Sequence, residues 1–218
     1  MIEVIFFDFD GVLVESVDVK TEAFARLFRA EGSEAVEAVV NYHLQNTGVS
    51  RFDKFRYIYR EILKRPLTEA EFRRLCDSFA EIVVNEVVKA PYVDGTPEFL
   101  RDYSEKYRCF VTSATPQEEM KRIICERNMS QFFRGVYGAP TPKKDAVRMA
   151  LEEERVKPSQ ALYVGDALSD SRAASENGVF FVARIDGNET LFKGIDCPRI
   201  RDLTELDTVL DTLWSQAP

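Results

Sequence analysis

The feature that most constrains this chain is a set of short, β-prone apolar runs, recurring between helical stretches. Residues 3–7 (Glu-Val-Ile-Phe-Phe) stop at Asp8, 108–112 stop before Ser113, and 161–165 stop before Asp166; 179–183 is a fourth run and 135–138 a shorter fifth. Apolar runs of this length, rich in Val, Ile and Phe, read as buried strands. Between them lie helical patterns at about 116–127, at Ala146, Val147, Ala150 and Leu151, at 170–177 ending in Asn177-Gly178, and around 204–214. The Asn-Gly pair is a helix C-terminal signal. Strands alternating with helices predict an α/β fold with a doubly wound parallel sheet.

The alternation is interrupted early. From about residue 17 to 88 the apolar period is helical. Ala23, Phe24, Leu27 and Phe28 fit one face, Phe52, Phe55, Tyr59 and Ile62 a second, and Phe72, Leu75, Cys76, Phe79 and Val83 a third. The third opens with Thr68-x-x-Glu71, a capping box. The Phe-rich stretch 52–59 reads as core. After Pro91, Asp94-Gly95-Thr96-Pro97 reads as a turn into a helix, with Thr96 as N-cap and Pro97 at the first helical position. The expected domains are an α/β core of residues 1–14 and 92–218 and an inserted helical domain of residues 15–91.

Composition excludes several classes of function. The 218 residues carry 29 Lys+Arg against 37 Asp+Glu, a net charge of −8. A general nucleic-acid binder needs a basic surface, so no nucleic-acid partner is expected. No run approaches the ~20 apolar residues of a membrane span, and the first residues lack the basic and apolar regions of a signal peptide. The expectation is a cytoplasmic protein without a membrane partner. Cys76, Cys109, Cys125 and Cys197 have no CxxC spacing and read as buried thiols in a reducing compartment. With His43 the only histidine, chemistry that needs a His pair has no residues to use. His43 itself reads as a packing or surface residue.

In open parallel sheets, ligands bind beyond the carboxyl ends of the strands. The strand ends here deliver Asp8, Ser113 and Asp166, with Asp10 and Asp170 close behind. Such acids cannot all stay ionised without a counter-charge. A hard divalent cation with oxygen ligands, Mg²⁺ above all, is the simplest one. Lys143, near a helix start, adds a positive group to the same edge.

The same residues form an ordered motif set. Asp8-Phe9-Asp10-Gly11 resembles the DxDG motif of the haloacid dehalogenase-like superfamily. Thr112-Ser113 resembles its second motif, Lys143 its third, and Gly165-Asp166-Ala-Leu-Ser-Asp170 its fourth, GDxxxD. The adjacent Lys144 leaves the register of the third open. The helical block stands where members of the β-phosphoglucomutase and phosphoglycolate phosphatase type carry a helical cap. The resemblance covers the whole chain and implies a Rossmann-like core under that cap.

It also implies roles. Asp8 is the nucleophile that forms an aspartyl-phosphate, and Asp10 the acid and then the base. Mg²⁺ is held by Asp8, the Asp10 carbonyl and Asp166. Ser113, the Ala114 amide and Lys143 bind phosphate oxygens, and Asp170 orients the metal shell or the lysine. The second acid points to an oxygen leaving group, since halide leaves without a proton. The expected activity is phosphatase action on a small phosphorylated metabolite. Alternatives are a phosphomutase, a phosphonate hydrolase, or an idle binding module. Oligomeric state is left open.

The cap is expected to set the substrate. Gly48-Val49-Ser50-Arg51 resembles a segment of β-phosphoglucomutase-type members whose arginine contacts a second phosphate. Arg51 and Lys54, i and i+3 on a helix, are expected to present one anion site. Lys20 stands where the mutase pattern has His. Arg51 stands where phosphonoacetaldehyde hydrolase-like members have their Schiff-base lysine.

Overall fold

In a computed structural model, described for residues 1–187 and 190–215 with side chains to residue 213, six parallel strands form one sheet. The strands are β1 (Val4–Phe7), β2 (Arg108–Pro116), β3 (Gly135–Ala139), β4 (Ala161–Gly165), β5 (Phe180–Arg184) and β6 (Arg199–Ile200), in the order β3-β2-β1-β4-β5-β6. The helices are α1 (Val17–Leu27), α2 (Ser33–Gln45), α3 (Arg51–Tyr57), α4 (Glu69–Lys89), α5 (Thr96–Tyr103), α6 (Gln117–Glu126), α7 (Lys143–Glu154), α8 (Leu168–Asn177) and α9 (Leu206–Ser215).

Both faces of the sheet are covered, which explains why its strands read as unbroken apolar runs. Ile5, Phe7, Val111 and Val164 face one layer; Val4, Phe6, Phe110 and Tyr163 face the other, with α7 and α8. This period of two splits each run between two cores. Phe7 pairs with Val111 on one side and Val164 on the other. The residue after the central strand, Asp8, therefore emerges between the ends of β2 and β4.

The helical block α1–α4 leaves the sheet after β1 and returns before α5. Its core is aromatic: Phe24 packs on Phe55 and Phe79, and Phe28 on Phe55 and Tyr59. Each such ring contributes about 1.5–3 kcal/mol by burial. Thr68 and Glu71 make both capping-box bonds at the head of α4. A π-helical turn, Ile58–Ile62, extends α3. The two chain crossings are stitched together. Val14 and Tyr92 pair as antiparallel neighbours. The Glu15 N–H donates to the Pro91 carbonyl at 2.9 Å, and the Val93 N–H to the Leu13 carbonyl at 3.1 Å.

Some boundaries differ from the sequence reading. Thr96 is not the N-cap of α5. Gly95 takes that place at φ 80°, and Thr96 is the first helical residue. A Cβ on Gly95 would lie 2.5 Å from the Thr204 backbone nitrogen, so close backbone packing decides the residue. Strand β2 runs on to Pro116, and α6 begins only at Gln117. Helix α2 and the two-residue β6 had no clear sequence signal.

Candidate active site

Asp8 is 4% exposed. Its Oδ1 accepts from the Phe9 N–H at 2.6 Å and its Oδ2 from Lys143 Nζ at 2.7 Å. Lys143 is the first residue of α7 and also donates to Asp170 Oδ1 at 2.6 Å. Lys144 instead lies at the surface, 3.3 Å from Glu176. The reach of the two side chains thus separates adjacent lysines. Asp170 Oδ1 also accepts from the Tyr163 hydroxyl at 3.0 Å, and Oδ2 from the Ala167 N–H at 3.0 Å. With both oxygens occupied, Asp170 positions Lys143 and the turn after β4.

Asp166 completes the acids. Oxygens of Asp8, Asp166 and Asp170 lie within 4.8 Å of one another, and Asp166 Oδ1 is buried without a hydrogen-bond partner. Gly11, at φ 76°, leaves room for it: a Cβ there would stand 2.3 Å from Asp166 Oδ2. Burial pushes the Asp8 carboxyl up to about 7, helped by Asp170 and Asp10 and opposed by Lys143. Burial and then Asp8 push Asp166 well above the usual range. Burial disfavours the Lys143 ammonium, but Asp170 and Asp8 outweigh it and hold its pKa well above 10.5. An orphaned carboxylate oxygen beside a second carboxylate, both strained by repulsion, suits a hard divalent cation.

Asp10 lies apart from that cluster. Its Oδ1 accepts from Ser16 Oγ at 2.6 Å; its Oδ2 accepts from Lys20 Nζ and, at 3.2 Å, from Thr115 Oγ1. Ser113 Oγ is 3.5 Å away. Ser16 stands at the N-cap of α1 but makes no capping bond, because its hydroxyl serves Asp10. Lys20 also donates to Thr115 Oγ1 at 2.9 Å. Burial works against the Asp10 charge, yet the Lys20 ammonium and these bonds hold its carboxyl below the usual value. Ser16, Lys20 and Thr115 were missed as site residues. Ser16 and Lys20 did have a signal: an i, i+4 pair on one helix face, just after a carboxylate without a cation.

The expected cap pair divides. Arg51 is buried and grips Glu119 of α6 with both terminal nitrogens, one at 2.8 Å. It is therefore not an open anion receptor, because a core carboxylate already fills its fork. Lys54 is 2% exposed and its Nζ lies 2.7 Å from His43 Nδ1. His43 is thus buried and partnered, its ring 4.8 Å from that of Phe24. Lys54, Arg51, Lys20 and Ala114 line one cavity together with Asp8, Asp10 and Asp166.

The haloacid dehalogenase-like hydrolase family model matches residues 5–184. The chain belongs to that family. A phosphoglycolate phosphatase of Vibrio cholerae is 26% identical over 189 residues, covering 82% of each chain. One of Pseudomonas putida is 25% identical over 183 residues, 80% of this chain and 66% of that one. Two solved structures share the fold. The β-phosphoglucomutase of Clostridium difficile has a TM-score of 0.77 at 19% identity, covering 99% of this chain and 98% of that one. CbbY of Rhodobacter sphaeroides, solved with phosphate, has a TM-score of 0.76 at 20% identity, covering 94% and 96%. Among the described residues of this family member, no helix is long and apolar enough to cross a membrane.

Proposed function

We propose that this hydrolase is a Mg²⁺-dependent phosphatase of small phosphate monoesters, with phosphoglycolate, the substrate named for two relatives, as the first compound to test. The observation that carries the reading is the placing of Asp8. Its carboxylate stands at the end of the central strand, between the Lys143 ammonium and the unpartnered Asp166 oxygen. Asp8 attacks phosphorus, the P–O bond to the leaving group breaks, and an aspartyl-phosphate forms. The leaving oxygen takes a proton from the Asp10–Lys20 pair. The pair recovers it from the water that then attacks the phosphoenzyme, which releases phosphate and restores Asp8. With Asp10 held ionised, the proton given to the leaving oxygen is that of the Lys20 ammonium, and the pair is restored by the proton of the attacking water.

Ser113, the Ala114 amide and Lys143 bind the phosphate oxygens, where charge accumulates in the transition state. Asp8, Asp166 and the Asp10 carbonyl would hold Mg²⁺, which supplies positive charge opposite the phosphate. Residues 15–91 act as a cap domain over a core of residues 1–14 and 92–218, excluding bulk water. Screening phosphorylated metabolites with Mg²⁺ and then with EDTA tests the reading. Turnover is expected with Mg²⁺ alone, and Asp8→Asn should abolish both turnover and trapped phosphoenzyme. Equal rates in EDTA, or a phosphoenzyme in Asp8→Asn, would sink it.

A further inference from the structure

The cations lining the cavity between the helical block and the strand ends are not equal. Lys20 has Asp10 and Arg51 has Glu119. Lys54 has no carboxylate within ion-pair distance among the described residues. Its Nζ meets only the His43 ring nitrogen, the Thr47 carbonyl at 3.5 Å and the face of Phe24 at 5.6 Å. A buried ammonium without an anion is costly to keep in the fold. Yet Lys54 lines the same cavity as Asp8 and Asp10.

We infer that Lys54 is the receptor for a carboxylate on the substrate, and that this carboxylate is the counter-ion the fold omits. The inference rests on the phosphatase reading, which places the phosphate at Asp8. The cavity is small, about 40 Å³, which limits the group beside Lys54 to a few atoms. Arg51 is excluded as the receptor by Glu119. The groups facing Lys54 are His43 of α2, Lys20 of α1, and Asp10, Lys143 and Asp166 of the core. Burial, Lys20 and Lys143 push its ammonium down to about 7, against Asp10 and Asp166. His43 does not compete for the proton, since burial and Lys54 push it down to about 3. Above neutral pH, an arriving carboxylate therefore draws a proton onto Lys54.

Two probes of one skeleton test this: phosphoglycolate, and ethyl phosphate, which has methyl in place of carboxylate. In the unsubstituted enzyme the ratio of their kcat/KM values should favour phosphoglycolate. In Lys54→Met that ratio should fall ten- to a hundredfold, the worth of one charge-assisted hydrogen bond, and Lys54→Arg should restore part of it. Calorimetry of Asp8→Asn at pH 8, in buffers of different ionisation enthalpy, should show phosphoglycolate taking up about one proton more than ethyl phosphate. Adding Lys54→Met should remove that excess. A ratio unchanged by Lys54→Met, or no excess proton, overturns the inference and leaves the phosphatase reading standing. If neither probe is hydrolysed, phosphoglycolate fails as the substrate, and the calorimetry still decides whether Lys54 receives the carboxylate.

Discussion

Replacing Lys54 by Met should make the protein more stable near neutrality, by an amount that depends on pH. The amine lies at about 7 in the folded chain, against an ordinary 10.5, so the unfolded chain binds its proton more tightly. The penalty is therefore complete below pH 7, fades as pH rises from 7 to 10.5, and is gone above. At about 1.36 kcal/mol per pH unit, linkage makes it roughly 4 kcal/mol at pH 7 and about 1 kcal/mol at pH 10. Methionine keeps the length of the side chain but forfeits the bond to His43, about 1 kcal/mol. The variant should then be roughly 3 kcal/mol more stable at pH 7 and about equal to the parent at pH 10. Urea unfolding of both proteins at the two pH values measures the difference. A gain of equal size at both pH values would mean that better packing, not relief of a buried charge, had changed. A loss at pH 7 would refute the reasoning outright.

Three further substitutions probe the site. Asp10→Asn should slow ethyl phosphate more than p-nitrophenyl phosphate, because a phenolate leaves with little help from an acid; parallel kcat measurements decide it. Lys20→Met should reproduce that bias, and the double variant should be no worse than Asp10→Asn alone, since residues acting as one unit are not additive. Glu119→Gln removes the carboxylate from buried Arg51 and should cost about 2 kcal/mol, lowering Tm by roughly 4–8 °C, as read by thermal unfolding.

What the sequence made legible was whatever obeys a local rule. Phe7-Asp8 and Gly165-Asp166 are strand ends, and a strand end is marked where an apolar run stops. Thr68 and Glu71 form a capping box that a four-residue span announces. Lys54 and Arg51 were legible as helical neighbours and no more. Their partners, His43 and Glu119, come from α2 and α6, and no spacing along the chain carries that pairing. The bond of Lys20 to Thr115 was hidden for the same reason, since it spans the interval from α1 to β2. Gly95 displaced Thr96 as the cap because of the Thr204 backbone, more than a hundred residues away in the chain. Long-range packing, not propensity, settled each of these.

The stitched crossing at Glu15 and Pro91 works as a socket. A chain that departs and re-enters at hydrogen-bonded neighbours occupies the core's rim as a tight hairpin would, whatever lies between. Closing a longer excursion costs only about 0.6 kcal/mol per doubling of its length. The covering helices can therefore be lengthened, shortened or exchanged while the sheet beneath keeps its register. Two bonds tie the interchangeable part to the fixed one: Arg51 grips Glu119, and Lys20 holds Asp10. Any replacement for this block that discards Lys20 must bring its own means of holding that acid.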